Sequence, residues 1–284
     1  MSIAFLGTGL LGSGFVRHLL ATTGQVTVWN RTPGKLARLV DAGARAASSV
    51  SEAVATADRV HLCVRDDDAV DQLLDQVLAA APAAAVVIDH TTTSATGSRA
   101  RARRLAAAGR GFLHAPVFMS PAAAATAKGI TLCAGPAEVY ARVDAALAAM
   151  AGEVWYVGDD HGRAAALKLC GNAMLITIAA GMADALAVGR SAGLAGADVL
   201  EVMRRLKPGG AIEVRGARMA AGDFTASFEL AMARKDLGLM VDEVGAAPLA
   251  ALAAIAARAD QLIATGHGAD DLGVLAAPGA GPTR

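Results

Sequence analysis

The sequence contains only three cysteines, Cys63, Cys133 and Cys170, which lie far apart in the chain. Their number is odd, and they form neither a CxxC pair nor a Cys/His ligand spacing. The sequence therefore supports neither a disulfide framework nor a structural zinc site. We expect three buried small hydrophobic side chains in a reduced, cytoplasmic compartment, and no bound metal.

An excess of charge of either sign is also missing, because Lys and Arg number 26 and Asp and Glu number 26. Nucleic acid or an acidic membrane would call for a basic face, so we expect neither as a partner. Hydrophobic residues make up 54% of the chain and charged residues 18%, whereas disordered chains show the reverse balance. The composition therefore indicates a folded chain.

Targeting and membrane signals are weak. Residues 1–6 lead directly into an apolar run without a basic leader or a small-residue cleavage site, so we expect no signal peptide. Residues 164–188 are apolar enough to suggest a membrane span, but they include Lys168, Asn172 and Asp184. These side chains are costly in lipid, so we predict a long buried helix of a soluble protein.

The first half of the 284 residues alternates short β-rich runs with helical segments. We predict strands at residues 3–6, 25–29, 59–64 and 86–89, and weaker ones near 112–113, 130–134 and 154–157. We predict helices at residues 10–21, 35–42, 51–55, 67–79 and 98–108. The strands are continuous apolar runs, which is typical of a parallel sheet covered on both faces. This half is therefore predicted to be a doubly wound α/β domain with a mostly parallel sheet.

The strand signal stops after Gly158. Helical spacing continues over residues 163–189, 196–206, 211–221, 237–244 and 248–266, so we predict an all-α second half. The sequence Gly-Asp-Asp-His-Gly at residues 158–162 breaks the pattern. We predict a dinucleotide-binding domain over residues 1–160 and a helical substrate and dimerisation domain over 161–284, with a frayed tail from Pro278.

A G-x-G-x-x-G pattern follows the first strand and opens a helix. It reads Gly7-Thr8-Gly9-Leu10-Leu11-Gly12. Gly7 permits a tight turn, Gly9 lets the backbone approach a pyrophosphate, and Gly12 lets helix and strand pack closely. The N–H groups and dipole of the helix N-terminus then face the anion. In this context the pattern predicts a Rossmann fold that binds a dinucleotide.

The end of the second strand bears on the choice of cofactor. An NAD site usually has an Asp or Glu here for the ribose 2′-OH, but this chain has Asn30 followed by Arg31. A carboxylate repels a 2′-phosphate, whereas an arginine pairs with it. Thr32 and Lys35 are further candidate contacts. We therefore predict NADP in preference to NAD.

Several separate stretches share one family pattern. They are the glycine turn with Asn30-Arg31-Thr32, Asp89-His90-Thr91-Thr92, His114-Ala115-Pro116-Val117, Gly162 with Lys168 and Asn172, Phe228 to Lys235-Asp236-Leu237, and Gly266-His267-Gly268-Ala269-Asp270. Over nearly the whole chain they resemble the β-hydroxyacid dehydrogenases, which include 3-hydroxyisobutyrate dehydrogenase and tartronate semialdehyde reductase. The resemblance implies an active site between a Rossmann domain and a helical domain.

The resemblance also assigns roles to single residues. It places the catalytic lysine at Lys168, and contacts to the cofactor at Thr92 and Lys235. Val64, at the end of a predicted strand, is a further cofactor-binding candidate. The resemblance, together with the apolar helices of the second half, predicts a homodimer or homotetramer.

The residues themselves agree with a function for Lys168. Lys168 and Asn172 are four positions apart, so they share one face of a helix that is otherwise apolar. A lysine is expensive to bury there without a partner. We predict that Lys168 protonates a carbonyl oxygen during hydride transfer and that Asn172 orients the substrate or the lysine. The alternative is a lysine that extends from a surface helix to the solvent.

The pattern breaks in the substrate loop. After Ala-Pro-Val the family has Ser-Gly-Gly, whose serine and N–H groups typically hold a substrate carboxylate. Here the loop reads Phe118-Met119-Ser120, and an apolar pocket binds a carboxylate poorly. We predict substrate contacts at these three residues. His114 stands in place of the family's aspartate and is either structural or titrates near neutral pH.

Two alternatives to a carbonyl reductase stay open. Imine reductases resemble this family, share the run from Val26 to Thr32, and act on apolar imines, which suits Phe118 and Met119. They usually lack the lysine that this chain keeps. The other alternative is a protein that binds NADP without turnover, which the Lys168 and Asn172 pair argues against.

Overall fold

A computed structural model describes residues 2–278, so the predicted tail lies outside the described residues except for Pro278. The chain forms two compact units that divide between Asn172 and Ala173. The predicted domain boundary at residue 160 lies just before a long helix, α9 (His161–Ser191). This helix runs through the division and so belongs in part to each unit.

The first unit is built on a six-stranded parallel sheet. Its strands are β1 (Ile3–Leu6), β2 (Thr27–Trp29), β3 (Arg45–Ala46), β4 (Arg59–Leu62), β5 (Val86–Asp89) and β6 (Gly111–His114). The order is β3-β2-β1-β4-β5-β6, and every neighbouring pair is parallel. The central strands β1, β4 and β5 are buried throughout, as expected for a sheet covered on both faces. The predicted Rossmann fold is confirmed.

Helices connect these strands. They are α1 (Leu10–Thr23), α2 (Ala37–Val40), α3 (Val50–Val54), α4 (Asp67–Ala80), α5 (Ala95–Ala107), α6 (Pro121–Ala124), α7 (Ala137–Tyr140) and α8 (Asp144–Ala148). Helix α5 begins before the predicted residue 98, because the Ser94 hydroxyl accepts the N–H of Gly97 and caps the helix there. Two apolar clusters fill the space between helices and sheet, one on each face.

A second, three-stranded sheet completes the first unit. It consists of β7 (Val117–Phe118), β8 (Ile130–Cys133) and β9 (Glu153–Tyr156), in that order. Strand β7 is antiparallel to β8, and Phe118 pairs with Ile130. The sequence did not predict β7, because two residues are too few to show a pattern. This sheet places Phe118 at the end of a strand.

The sequence predicted that the long helix α9 is buried, but within a single chain much of it is exposed. Its residues Met174, Leu175, Ile176 and Ile178 have exposed fractions between 47% and 69%. The helix has the length and apolar composition of a membrane span, a test that core helices of soluble proteins also pass. Cys170 on this helix is exposed, and Cys63 is half-buried, so the prediction of three buried cysteines is wrong for these two.

The second unit is helical throughout its described part. Its helices are α10 (Gly196–Leu206), α11 (Ala217–Ala221), α12 (Leu230–Val244) and α13 (Leu252–Ala264), with a π-helical turn over Ile212–Gly216 and a 3-10 turn over Leu272–Ala276. Helix α12 begins at Leu230 rather than at residue 237. Its first N–H groups, of Leu230 and Ala231, donate to the carbonyls of Asp270 and Gly268. A contact so distant in sequence leaves no local signal.

Asp184, the most C-terminal polar residue of the apolar stretch, has a structural role in the second unit. Its carboxylate is buried and accepts the N–H groups of Ala250, Ala251 and Leu252 at 2.6 to 2.8 Å. Burial opposes ionisation, but these three N–H groups outweigh it and lower the pKa of Asp184. Asp184 therefore caps the start of α13 from a neighbouring helix.

Candidate functional site

The glycine turn has the geometry that the sequence predicts. Gly7 has φ +97°, and a Cβ there would overlap the carbonyl oxygen of Cys63. A Cβ on Gly12 would overlap the carbonyl oxygen of Gly7, so helix α1 packs directly on the turn. A Cβ on Gly9, in contrast, would meet no atom within 4 Å. The backbone of Gly9 therefore borders open space, where a ligand can approach closely.

Asn30 connects the glycine turn to the loop after β2. Its Oδ1 accepts the N–H of Thr8 at 3.1 Å, and its Nδ2 donates to the carbonyl of Thr32 at 3.0 Å. An aspartate could accept from Thr8 in the same way but could not donate to Thr32. The amide therefore holds both loops together without placing a negative charge beside them.

A cleft of about 640 Å³ extends from this turn along the carboxyl edge of the main sheet. Most of the predicted cofactor residues line it: Gly7, Gly9, Leu10, Leu11, Gly12, Asn30, Arg31, Thr32, Lys35, Val64 and Thr92. The strand order reverses between β1 and β4, and ligands of open α/β sheets bind at such a switch point. The residues that the sequence selected separately thus lie around one cavity, although their role as cofactor ligands stays a prediction.

The sequence missed one wall of this cleft. That wall consists of residues after β4 and on α4, namely Arg65, Asp66, Asp68, Ala69, Gln72, Leu73 and Gln76. A signal was present, since Asp66 caps α4 by accepting the N–H of Ala69 and follows a buried strand. Cys63 also lines the cleft, but burial raises the pKa of its thiol to about 12, so it is no thiolate nucleophile.

Basic side chains surround the end of the cleft beside Asn30. Arg31 and Lys35 are exposed there. Arg65 Nε lies 2.6 Å from Asp66 Oδ2. The N–H of Ala69 lowers the pKa of Asp66 most, and the charges of Arg65 and then Arg31 add to it. Asp66 is therefore already paired, and this end of the cleft suits an anion.

The cleft fits a nicotinamide dinucleotide. Gly9 leaves room for a pyrophosphate against the N-terminus of α1, whose first turn contains no acidic residue. Leu10 follows with 83% of its surface exposed, an unusual exposure for an apolar side chain facing a cavity. These features are those of a cradle for a bound anion flanked by an apolar surface.

Lys168 lies on α9 within the first unit and is buried, with 8% of its surface exposed. Its Nζ donates to Asn172 Oδ1 at 2.8 Å, as the four-residue spacing predicts. Burial lowers the pKa of Lys168 from its ordinary value. No carboxylate in residues 2–172 forms an ion pair with it. Lys168 is therefore a buried ammonium held by an amide and not a lysine that extends to solvent.

Phe118 covers the other side of Lys168. The Nζ atom lies 4.1 Å from the centroid of the ring, which is cation–π geometry. The ring packs with the apolar cluster of Leu132, Ala134, Val157 and Ala164. A Cβ on Gly171 would overlap Cζ of Phe118. The ring is therefore seated on the backbone of α9, one turn beyond the lysine.

Met119 and Ser120, the other two residues of the predicted substrate loop, have structural contacts. Met119 packs against the cluster that contains Phe15 of α1. The Ser120 hydroxyl accepts the N–H of Ala123 and caps α6, which packs on α1 next to Gly14. Residues 118–120 thus connect α1, the helix of the glycine turn, with the Phe118 ring that lies over Lys168. The substrate contacts of Met119 and Ser120 stay predictions.

Three buried histidines lie in or next to the main sheet, and one of them, His90, lines the cleft. Nδ1 of His90 is 2.8 Å from the carbonyl of Ala115, and its Nε2 is 3.0 Å from Nδ1 of His61. Burial lowers the pKa of both rings, so both are neutral. His114 is fully buried in β6, with Nδ1 3.5 Å from Asp89 Oδ2, and the residues lining the cleft do not include it. His114 therefore lies in the core of the first unit, outside this cleft.

Lys235 lies on α12 in the second unit. Its Nζ is 3.0 Å from Asp236 Oδ1, and 57% of its side chain is exposed. Its assignment to the cofactor therefore still rests on the resemblance alone. No group of His, Cys, Asp and Glu able to hold a metal ion occurs among residues 2–278.

Comparisons with known proteins match nearly the whole described chain. Residues 2–158 match the NAD-binding domain of 6-phosphogluconate dehydrogenase, and residues 162–276 match the NAD-binding family of NADP-dependent 3-hydroxyisobutyrate dehydrogenase. The 3-hydroxyisobutyrate dehydrogenase of Pseudomonas aeruginosa is 31% identical over 266 residues, which cover 88% of this chain and 89% of that protein.

Solved imine reductases share the fold. The enzyme from Myxococcus stipitatus in complex with NADP⁺ superposes with a TM-score of 0.87 at 23% identity, covering 97% of this chain and 98% of that one. The Streptomyces aurantiacus imine reductase gives 0.87 at 25% identity with the same coverage. Both parts of the predicted resemblance are thus confirmed. The chain belongs to the 3-hydroxyisobutyrate dehydrogenase family and is an NAD(P)-dependent oxidoreductase.

Proposed function

We propose that this protein transfers hydride between NADPH and a small carbonyl compound, an aldehyde, ketone or semialdehyde, and that Lys168 exchanges the proton. The observation that carries the proposal is the buried Lys168 ammonium, held by Asn172 and without a carboxylate partner in the first unit. A charge in such a position is costly to bury, so its presence points to a role in a reaction. The bound cofactor supplies or accepts the hydride.

The lysine acts on the oxygen of the substrate. In the direction of reduction, protonated Nζ donates to the carbonyl oxygen as negative charge develops there. In the direction of oxidation, the neutral amine accepts the hydroxyl proton. Burial lowers the pKa of Lys168 toward neutral pH, so the lysine can release and take up a proton more readily during turnover.

Asn172 orients both the lysine and the substrate. Its Oδ1 is occupied by Lys168 Nζ, which leaves the two Nδ2 hydrogens free to donate. Because both side chains project from one face of α9, an Nδ2–H and an Nζ–H can converge on one oxygen. Two donors on the developing alkoxide stabilise it more than one does.

NADP is favoured over NAD by the charge at the end of the cleft. Arg31 and Lys35 are exposed beside the loop where an acidic residue would otherwise accept from the ribose, and Asn30 takes that position. Asp66, which also lines the cleft, is paired with Arg65. A 2′-phosphate would therefore meet the positive charges of Arg31 and Lys35.

A carbonyl is favoured over an imine by the charge on Lys168. An imine is reduced as its iminium cation, and a cation beside the ammonium would be repelled. A carbonyl develops negative charge instead, which the ammonium stabilises. Reduction of cyclic imines is therefore the main alternative outcome of the test.

The test is consumption of NADPH by the purified protein with semialdehydes, uncharged aldehydes and ketones, and cyclic imines, with NADH assayed in parallel. We expect turnover of carbonyl compounds with NADPH. Turnover of imines alone would replace the proposal with an imine reductase. No turnover by a protein that still binds NADPH would contradict any catalytic assignment and favour a non-catalytic NADP-binding protein.

We also propose that a second copy of the chain covers the exposed face of α9. The exposed apolar residues from Met174 to Ile178 form a patch too apolar for a monomer surface. Light scattering on the purified protein is expected to show a dimer or tetramer. Ile176→Glu should dissociate it, and a monomeric wild-type protein would contradict the proposal.

A further inference from the structure

We infer that Phe118, seated against Gly171, is the residue that selects an uncharged substrate. The substrates this geometry favours are aldehydes or ketones with an apolar substituent next to the carbonyl, rather than carboxylate-bearing semialdehydes. The inference rests on the proposed function and narrows its substrate class. It depends on three features of the first unit: the donors of Lys168, the position of the ring, and the remaining polar groups nearby.

The first feature is the number of free donors on Lys168. An ammonium has three N–H groups. One donates to Asn172 Oδ1 at 2.8 Å, and the cation–π contact directs another toward the ring of Phe118, whose centroid is 4.1 Å from Nζ. One N–H remains. It suits a single acceptor atom, such as a carbonyl oxygen, and not the two oxygens of an additional carboxylate.

The second feature is the fixed position of the ring. Phe118 lies at the end of strand β7 and packs on the cluster that contains Leu132 and Ala164. The ring contacts the backbone of α9 at Gly171, where any larger residue would overlap it. The ring therefore cannot move toward the helix to admit a charged group beside Lys168.

The third feature is the apolar character of this loop beside the ring. Met119 is apolar and packs in the cluster that contains Phe15, and the Ser120 hydroxyl caps α6, which packs on α1. With Lys168 Nζ and Asn172 Nδ2 both donating to the carbonyl oxygen, a substrate carboxylate against the Phe118 ring would lose its water and gain no hydrogen bond from the ring, whereas an alkyl or aryl substituent would lose nothing polar. The ring also stabilises the ammonium in place of an anion. The Phe118 ring thus provides the stabilisation of the Lys168 ammonium that a substrate carboxylate would otherwise provide.

The test compares a short-chain semialdehyde that bears a carboxylate with its methyl ester, which lacks the charge and adds one methyl group. Their kcat/KM values with NADPH are measured on the full-length protein. We expect the wild-type protein to prefer the ester by about tenfold or more, the loss expected from one uncompensated polar group.

Substitutions assign this preference to Phe118. Phe118→Ser introduces a hydroxyl and room for water, so the ratio of ester to carboxylate should fall by about tenfold. Phe118→Leu removes the aromatic ring but keeps an apolar side chain, so the preference should remain. Gly171→Ala should displace the ring and lower the ratio. Gly181→Ala, on the same helix with no atom near its Cβ, is the control and should change nothing.

The outcomes separate this inference from the proposed function. If the wild-type protein binds NADPH but reduces neither substrate, the proposed function fails and the inference fails with it. If it reduces both at similar kcat/KM, the function stands and the inference is overturned. A ratio that Phe118→Ser leaves unchanged also overturns it, because the preference would then arise elsewhere. Circular dichroism of each variant confirms folding before its ratio is used.

Discussion

The glycine turn and the Lys168 site are built in opposite ways. The turn is made of backbone from residues that are consecutive in the chain, and its shape follows from three glycines. The lysine site is made of side chains from two distant segments, Phe118 on β7 and Lys168 with Asn172 on α9. Under the proposed function, the turn binds an anion through backbone N–H groups, and the lysine site transfers a proton at a single atom.

The two regions also differ in their relation to stability. Gly7 and Gly12 are required by the fold itself, because a Cβ on either would overlap the backbone. Lys168 contributes nothing comparable, since burial disfavours its charged form and only an amide and a ring face it. Under the proposed function, the fold needs the glycine turn whereas only the reaction needs the Lys168 site, so the two regions should respond differently to substitution.

The largest effect is expected for Lys168→Met. Methionine has a similar length but carries no proton, so turnover should fall by about 10²- to 10⁴-fold, the usual contribution of a general acid. NADPH affinity should be unchanged. The temperature of unfolding should be equal or higher, because a buried charge has been removed. Steady-state kinetics, fluorescence titration and thermal unfolding measure the three quantities.

Loss of folding or of NADPH binding in Lys168→Met would mean that the lysine is structural and that the contrast between the two regions is wrong. Retained turnover would remove Lys168 as the proton donor. Cys170→Ala, two residues away and exposed, is the matched control and should behave as the wild type.

The next effect separates two glycines of one turn. Gly7→Ala forces a positive φ on alanine and overlaps Cys63, so we expect a loss of stability of roughly 1–3 kcal/mol or more. Gly9→Ala should leave stability unchanged, because its Cβ meets nothing, and should weaken NADPH binding by about tenfold, or about 1.4 kcal/mol.

Thermal unfolding and NADPH titration of both variants test this pair. Gly34→Ala, whose Cβ also meets no atom and which does not line the cleft, should change neither quantity. Unaltered NADPH affinity in Gly9→Ala would show that the open space at Gly9 is not where the dinucleotide approaches.

Features made of residues close together in the chain could be predicted from the sequence. Strands β1 and β5 and the start of α1 were predicted at the observed residues, since buried apolar runs and a glycine turn are local signals. The pairing of Lys168 with Asn172 was predicted because helical periodicity places them on one face.

Features that depend on distant contacts were not predicted. The two-residue strands β3 and β7 exist only through pairing with neighbouring strands, and α12 begins where carbonyls of the last loop meet it. The contact of the Phe118 ring with Lys168 joins two segments that no local pattern connects. The sequence showed an unusual phenylalanine in the substrate loop, but its contact with the lysine required the fold.

A smaller effect is expected at the 2′-phosphate end of the cleft. Arg31→Ala removes a charge-assisted hydrogen bond, usually about 1.5–3 kcal/mol, so NADPH affinity should fall by about 10- to 100-fold. NADH affinity should change little, because NADH has no 2′-phosphate. Arg38→Ala, an equal charge change on α2 outside the cleft, is the control. Equal losses for NADPH and NADH would place Arg31 elsewhere on the cofactor.

The smallest effect is a shift in pH dependence, which tests the burial of Lys168. Burial lowers the pKa of Lys168 below its ordinary value of 10.5, so carbonyl reduction should decline at a pH below that value as the ammonium loses its proton. Oxidation of the hydroxy compound should rise over the same range, because it needs the neutral amine.

The sign of the linked stability change follows from the same pKa. The folded chain holds the Lys168 proton less tightly than the unfolded chain, so the unfolded state binds more protons between the two pKa values. Stability attributable to Lys168 should therefore increase as pH rises through that window, and Lys168→Met should remove the increase. Denaturant unfolding of both proteins across this range measures it. If the reduction rate of the wild-type protein declined only at the ordinary lysine pKa, the ammonium would be hydrated during turnover. The lysine site would then resemble the solvent-facing end of the cleft.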